Sequence, residues 1–175
     1  MKVAWSGQYV EVIVDGRWEY VKRARSIGAA VILALTDAGE VVLVEQMRVP
    51  LGRKCIELPA GLVGDETAGE EAAASAEREL EEETGFAADQ WEELGEFASS
   101  PGMLGETFRL FRATGLRRIG DGGGVGHEEI VTHVVKLDDV PAFLAATRAE
   151  GCAVDVKLLA VLPYARAGGQ PCSPC

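Results

Sequence analysis

Gly64–Phe86 reads GDETAGEEAAASAERELEEETGF, and Glu77 to Glu83 places five carboxylates in seven consecutive positions. Ala73, Ala76 and Leu80 recur at helical spacing and Gly85 supplies a stop, so the pattern predicts a helix from about Ala68 to Thr84. On it Glu79 faces Glu82 and Glu83 at i+3 and i+4, where like charges cost ~0.2–0.5 kcal/mol per pair. Glu83, three residues from Leu80, falls on the border of the buried face. Arg78 is the only basic residue between Lys54 and Arg109, and one guanidinium does not neutralise five carboxylates. Hard oxygen ligands grouped on a rigid helix suit Mg²⁺ or Mn²⁺, which take a few carboxylates, keep water and accept phosphate oxygens. The competing reading is a solvated acidic helix face.

Composition narrows the partner. The 175 residues, 47% of them hydrophobic, are enough for one core and one domain. A formal net charge of −11 argues against a sequence-independent nucleic-acid binder, which needs Lys and Arg to displace counterions. An acidic protein that takes a small anionic nucleotide needs metal ions and a few local arginines to reverse the field. No apolar run approaches about 18 residues and MKVAWSGQ lacks a signal-peptide core, so a soluble cytoplasmic protein is expected. Cys55 and Cys152, isolated among apolar neighbours, read as reduced core thiols. Cys172 and Cys175 form a C-x-x-C without a second pair, inside a Gly- and Pro-containing stretch, 165–175, expected to be a frayed tail.

Outward from the helix the chain reads as strands. Tyr9–Val14 and Trp18–Val21 flank Asp15-Gly16 as a hairpin, and Ala29–Leu35 and Val41–Glu45 flank Asp37-Ala38-Gly39 as a second. Gln46–Pro50 reads as a loop and Cys55–Leu58 as a short strand entering Pro59-Ala60-Gly61. Trp91–Ala98, Thr107–Arg112 and Glu129–Leu137 read as further strands, GDGGGVG at 120–126 as a flexible loop, and Val140–Arg148 and Asp155–Leu162 as helices. Strands before, around and after a central helix, without internal repeat, predict an α/β sandwich with a mixed sheet.

Gly64-x5-Glu70-x7-Arg78-Glu79-Leu80-x-Glu82-Glu83-x-Gly85-Phe86 resembles, position for position, the signature box of the Nudix hydrolases. The resemblance implies an α/β/α sandwich with a mixed β-sheet and a loop-helix-loop that holds catalytic Mg²⁺. It implies Glu79, Glu82 and Glu83 as metal ligands and Arg78 as the residue that orients them. Three flanking stretches, Trp18–Arg23, Glu45–Gly52 and Ile56–Leu62, with Pro101 sixteen residues past Gly85, resemble the ADP-ribose and ADP-sugar pyrophosphatase branch. That branch implies three parts: an N-terminal β element, 1–24, exchanged in a homodimer; a hydrolase domain, 25–164; and the tail. The branch's box glycine corresponds to Gly61, whereas the spacing selects Gly64; Ala60, directly ending a strand, is preferred over Val63 as the carbonyl facing the metal. The same difference in spacing bears on Glu70, the first fixed glutamate of the box.

By the same resemblance Tyr9 and Trp18 sit where aromatics sandwich the adenine, with Glu19 beside them. They lie on opposite arms of a hairpin with little core, so stacking a base and packing at a dimer interface both remain open. Arg48, in a loop beside the box, offers a fork of donors that matches a diphosphate. Arg23 and Arg25 are weaker candidates, and Leu62 and Met103 complete the expected substrate contacts. The general base implied is a glutamate on a loop before a late strand, Glu128 first and Glu129 second, with the glycine-rich lead-in as lid or bare linker and His127 as a neighbour. The expected reaction is Mg²⁺-dependent hydrolysis of ADP-ribose or a related ADP-sugar to AMP and a sugar phosphate. The alternatives are another nucleotide sugar such as GDP-mannose, or a non-catalytic nucleotide-binding module.

Overall fold

The computed structural model describes residues 1–24, 28–64 and 71–166. Glu70, Arg25, Cys172, Cys175 and the expected start of the acidic helix at Ala68 lie outside the described residues.

Strand β4 (Ala29–Ala34) is buried on both faces. Ala30, Ile32 and Ala34 pack with Ala72, Ala76 and Leu80 of helix α1 (Ala72–Thr84). Val31 and Leu33 pack with Val140 and Leu144 of α2 (Val140–Ala149) and Leu158 and Val161 of α3 (Val156–Arg166). A strand covered by helices on both sides reads as a continuous apolar run, and the result is an α/β/α sandwich. Each fully buried Ile or Leu here contributes ~1.5–3 kcal/mol relative to exposure.

Two four-stranded mixed sheets carry the site. One has the order β7 (Ala60–Leu62), β4, β9 (Thr107–Arg118), β8 (Phe86–Ala98), with β4 and β9 parallel. The other has the order β10 (Val131–Lys136), β5 (Glu40–Arg48), β6 (Arg53–Glu57), β11 (Ala153–Val154), with β6 and β11 parallel. The expected β4–β5 hairpin is therefore corrected. A single bridge, Leu35 to Val41, links the two strands before each becomes the centre of a different sheet. Both are apolar on both faces, so each finds burial between partners of its own.

The acidic helix also differs in detail. Its buried stripe is Ala72, Ser75, Ala76, Leu80, Glu83 and Thr84, while Ala73 is exposed. Glu83 is inside, as its place next to Leu80 predicts.

At the N-terminus the expected hairpin is the second half of a three-stranded meander, β1 (Lys2–Ser6), β2 (Val10–Asp15), β3 (Trp18–Arg23). Every residue of β1 is exposed, so no buried face marks it in the sequence. The meander turns at Gly16, where φ is 61°, and meets the domain through β3. The Val21 N–H donates to the Met103 carbonyl at 2.9 Å, and the Gly105 N–H donates to the Val21 carbonyl at 2.8 Å. Among the described residues no helix is long and apolar enough to cross a membrane.

Candidate active site

Two hydrogen bonds clamp β7 along α1. The Ser75 hydroxyl donates to the Leu62 carbonyl at 3.1 Å near the start of the helix, and the Ala60 N–H donates to Glu83 Oε2 at 3.1 Å near its end. Gly61 lies between them, so close to the helix that an added β-carbon would stand 1.9 Å from the carboxyl carbon of Glu79. Gly64 instead turns the chain, with φ 81°. Both glycines are needed, and Gly61 is the one that lets a box glutamate reach the strand.

Glu83 is only 4% exposed. Burial pushes its carboxyl up to about 8; the charges of Glu79 and Glu128 add to this, against the Ala60 N–H and Arg48. The Arg78 guanidinium spans Glu79 at 3.0 Å and Glu82 at 2.9 Å. A carboxylate held under burial and like charge is a place where a cation lowers the free energy.

Glu79 and Glu83 open into a cleft of about 800 Å³, the size of a small-ligand site. Among the described residues its wall carries six carboxylates, Glu57, Glu79, Glu83, Glu106, Glu128 and Asp155, against three cations, Arg23, Arg48 and Lys157. Ala60 and Leu62 line it as well. An anionic ligand therefore needs further positive charge to enter, and the donors fit a hard divalent ion. Among the described residues no three acidic, His or Cys side chains are gathered into a finished cage.

The glycine run is not the free loop expected. The Gly123 and Gly124 N–H groups donate to the carbonyls of Glu83 and Glu82 at 2.9 and 3.0 Å, and the Thr132 hydroxyl donates to Glu83 O at 3.3 Å. These satisfy carbonyls that a helix end leaves open. A β-carbon at Gly122 would lie 2.5 Å from the Thr84 carbonyl carbon, and one at Gly124 would lie 2.6 Å from the Glu128 β-carbon. Only a backbone without side chains seats the loop this closely. It brings Glu128 to the cleft, where Glu128 Oε2 accepts from the Val125 N–H at 3.1 Å. Glu129, exposed like Glu128, is not part of the cleft wall among the described residues and acts electrostatically on Lys54.

Other candidates are placed differently from one another. Arg48 lines the cleft, but from the last position of β5 rather than from a loop, and its Nε and Nη2 donate to the two oxygens of Glu57 at 2.6 and 2.7 Å. The pairing of β5 with β6 continues to Arg48 opposite Arg53, which extends the strand past the point where its apolar run ends. Arg23 lines the cleft paired to Glu106 at 2.5 Å. Glu82 faces Arg78 and is not part of the wall among the described residues. Met103 is 64% exposed, and its neighbour Leu104 lines the cleft. Tyr9, Trp18 and Glu19 stand exposed on the N-terminal meander. The reading of the sequence missed Glu57, Glu106, Asp155 and Lys157; the signal for Glu57 was a charged residue inside the otherwise apolar Cys55–Leu58.

The NUDIX domain family matches residues 25–153, leaving the N-terminal meander outside the matched stretch. A methanol dehydrogenase activator of Bacillus methanolicus is 34% identical over 151 residues, 82% of this chain and 80% of that protein. An ADP-ribose pyrophosphatase of Bacillus subtilis (strain 168) is 33% identical over 142 residues, 77% of this chain and 75% of that protein. The crystal structure of an ADP compounds hydrolase has the same fold, with a TM-score of 0.62 at 21% identity over 81% of this chain and 80% of that one. The chain belongs to the Nudix family, and the relatives it is similar to include an ADP-ribose pyrophosphatase. Nudix hydrolases use divalent metal ions, and the acidic wall suits one.

Proposed function

We propose that this enzyme hydrolyses the pyrophosphate bond of ADP-ribose or a closely related ADP-sugar with Mg²⁺, giving AMP and a sugar phosphate. The observation that carries this is the convergence of Glu79, Glu83, Glu128 and Arg48 on one cleft. The choice of ADP-ribose rests on the similarity to a protein of that name.

Glu79 and Glu83, with Glu82 and the Ala60 carbonyl, are the residues that would hold Mg²⁺, which when bound neutralises charge on the non-bridging phosphate oxygens. Arg78 keeps Glu79 and Glu82 in place when no ion is present. Arg48 binds a phosphate of the diphosphate, and Arg23 and Leu62 contact the rest of the ligand. Glu128 takes the proton of the attacking water. The water oxygen bonds to phosphorus, the bridging P–O bond breaks, and the bridging oxygen leaves on the second phosphate. Each product is then a monophosphate.

The adenine partners Tyr9, Trp18 and Glu19, and Met103, act in a cytoplasmic homodimer whose N-terminal elements, residues 1–24, reach the domain, 25–164, of the other copy. The support is the exposure of Trp5, Tyr9 and Trp18, at 56%, 71% and 57%, more aromatic surface than a small sheet normally leaves in water.

A panel of ADP-ribose, ADP-glucose, GDP-mannose and a dinucleoside polyphosphate, assayed for mononucleotide release with Mg²⁺ and with EDTA, tests the proposal. ADP-ribose should be cleaved fastest and EDTA should stop release. Equal rates on all four would overturn the ADP-ribose preference, and no Mg²⁺-dependent release from any would overturn the reaction.

A further inference from the structure

Arg48 and Glu57 end adjacent antiparallel strands, with Gln46 opposite Cys55 and Val44 opposite Glu57. Two-residue alternation puts Arg48 and Glu57 on one face, so the arginine reaches back past the Gln46–Cys55 pair to meet the carboxylate. The two ends of this ion pair differ in depth. Glu57 has 6% of its side chain exposed and Arg48 has 42%. The carboxylate therefore holds the guanidinium from below, and the guanidinium forms the surface of the cleft.

A guanidinium has five N–H groups in one plane. Glu57 takes the Nε–H and one Nη2–H, the inner edge of the fork. The two N–H groups of Nη1 and the second of Nη2 remain for a ligand, along an edge whose direction the inner pair fixes. The charge of Glu83 also acts on Arg48, and both residues line the cleft.

We propose that Glu57 is a positioning residue for diphosphate binding, its buried carboxylate clamping the inner edge of Arg48 so that the outer N–H groups meet a phosphate in the cleft. This rests on the proposed pyrophosphatase reading and adds to it. An unclamped arginine would have to order itself when the ligand arrives, and a side chain ordered beforehand does not. A lysine at position 48 could not serve both partners, because an ammonium has no second planar edge.

The test is titration calorimetry of the full-length chain with Mg²⁺ and inorganic pyrophosphate, for wild type, Arg48→Ala, Arg48→Lys, Glu57→Gln and the Arg48→Ala/Glu57→Gln double variant. Each single variant should weaken pyrophosphate binding about tenfold, and the double variant no more than either alone, because the two residues act as one unit. Arg48→Lys should be as weak as Arg48→Ala. In turnover of the best nucleotide sugar, Glu57→Gln should place its loss in KM more than in kcat. Multiplicative losses in the double variant, unchanged binding in Glu57→Gln, or full rescue by Arg48→Lys would each overturn the proposal. A Glu57→Gln chain that melts earlier but binds normally would make the pair a strap between strands, and would overturn it too. The substrate panel is separate: a wild type that cleaves no nucleotide sugar defeats the reaction assigned above, while coupled pyrophosphate binding would still uphold the clamp.

Discussion

The floor of the cleft and the N-terminal meander hold the side chains proposed for function in opposite ways. On the floor, β7 is tied to α1 at both ends, the glycine loop is tied to the carbonyls of α1, and Arg48 is tied to Glu57. On the meander, Tyr9 and Trp18 project into solvent, and Ile13 is the one fully buried side chain of its three strands. Reaction chemistry needs atoms placed before the substrate arrives, and that order is built inside one chain. The base recognition proposed for the meander tolerates side chains that gain their surroundings later, from a ligand or a second copy.

Substitutions can break this contrast. The largest effect should come from Glu83→Gln, which should lower Mg²⁺-dependent kcat by more than about a hundredfold. The melting temperature of the EDTA-treated protein should not fall, because glutamine can still accept from the Ala60 N–H and, like the carboxyl below about 8, carries no charge to bury. A clear loss of melting temperature without metal would make Glu83 a structural residue instead.

Next should come Glu128→Gln, with a loss in kcat on the order of a hundredfold, while Glu129→Gln stays within about threefold. Comparable losses for the two would remove the distinction that the loop geometry makes. Gly124→Ala should cost roughly tenfold in kcat, because its new methyl overlaps the Glu128 β-carbon and shifts the loop; a wild-type rate would show that the loop's seat does not matter.

Trp18→Ala sharpens the other half of the comparison. It should raise KM about tenfold, the worth of one stacked base, and leave kcat nearly unchanged. An unchanged KM together with a monomeric chain on a sizing column would make the aromatics interface residues only.

The smallest effect concerns Cys55, beneath the cleft. Burial pushes its thiol up to about 12, against about 8.5 in an unfolded chain. The folded value is the higher one, so the stability it contributes is fully present below the unfolded value and is lost as pH rises from there toward the folded one. Alkylating reagents at about pH 8 should leave Cys55 unlabelled in the folded protein, and rapid labelling would contradict its burial.

Much of the site was legible in order along the chain because helical spacing is local. Glu79 and Glu83 share a face of any helix that contains them, and Leu80 says which face is inside. Arg48 was legible as a cleft residue but not as a strand residue, since apolar alternation ends before the β5–β6 pairing does. Glu57 was passed over because nothing near it in sequence supplies its partner, which lies nine residues back on the neighbouring strand. The glycine loop read as a flexible segment, lid or bare linker, for a related reason: a run of glycines looks the same whether it is free or pressed against a helix end.

By itself the sequence determined the family, the acidic helix and the kind of ion it suits, because these depend on side-chain type at fixed local spacing. Tertiary structure alone decided that β4 and β5 part into two sheets, that Gly61 lies against Glu79, that the glycine loop caps α1 and carries Glu128 to the cleft, and that Arg48 meets Glu57. Each of these joins residues through pairing and close approach between separate elements, where register and backbone distance decide the contact.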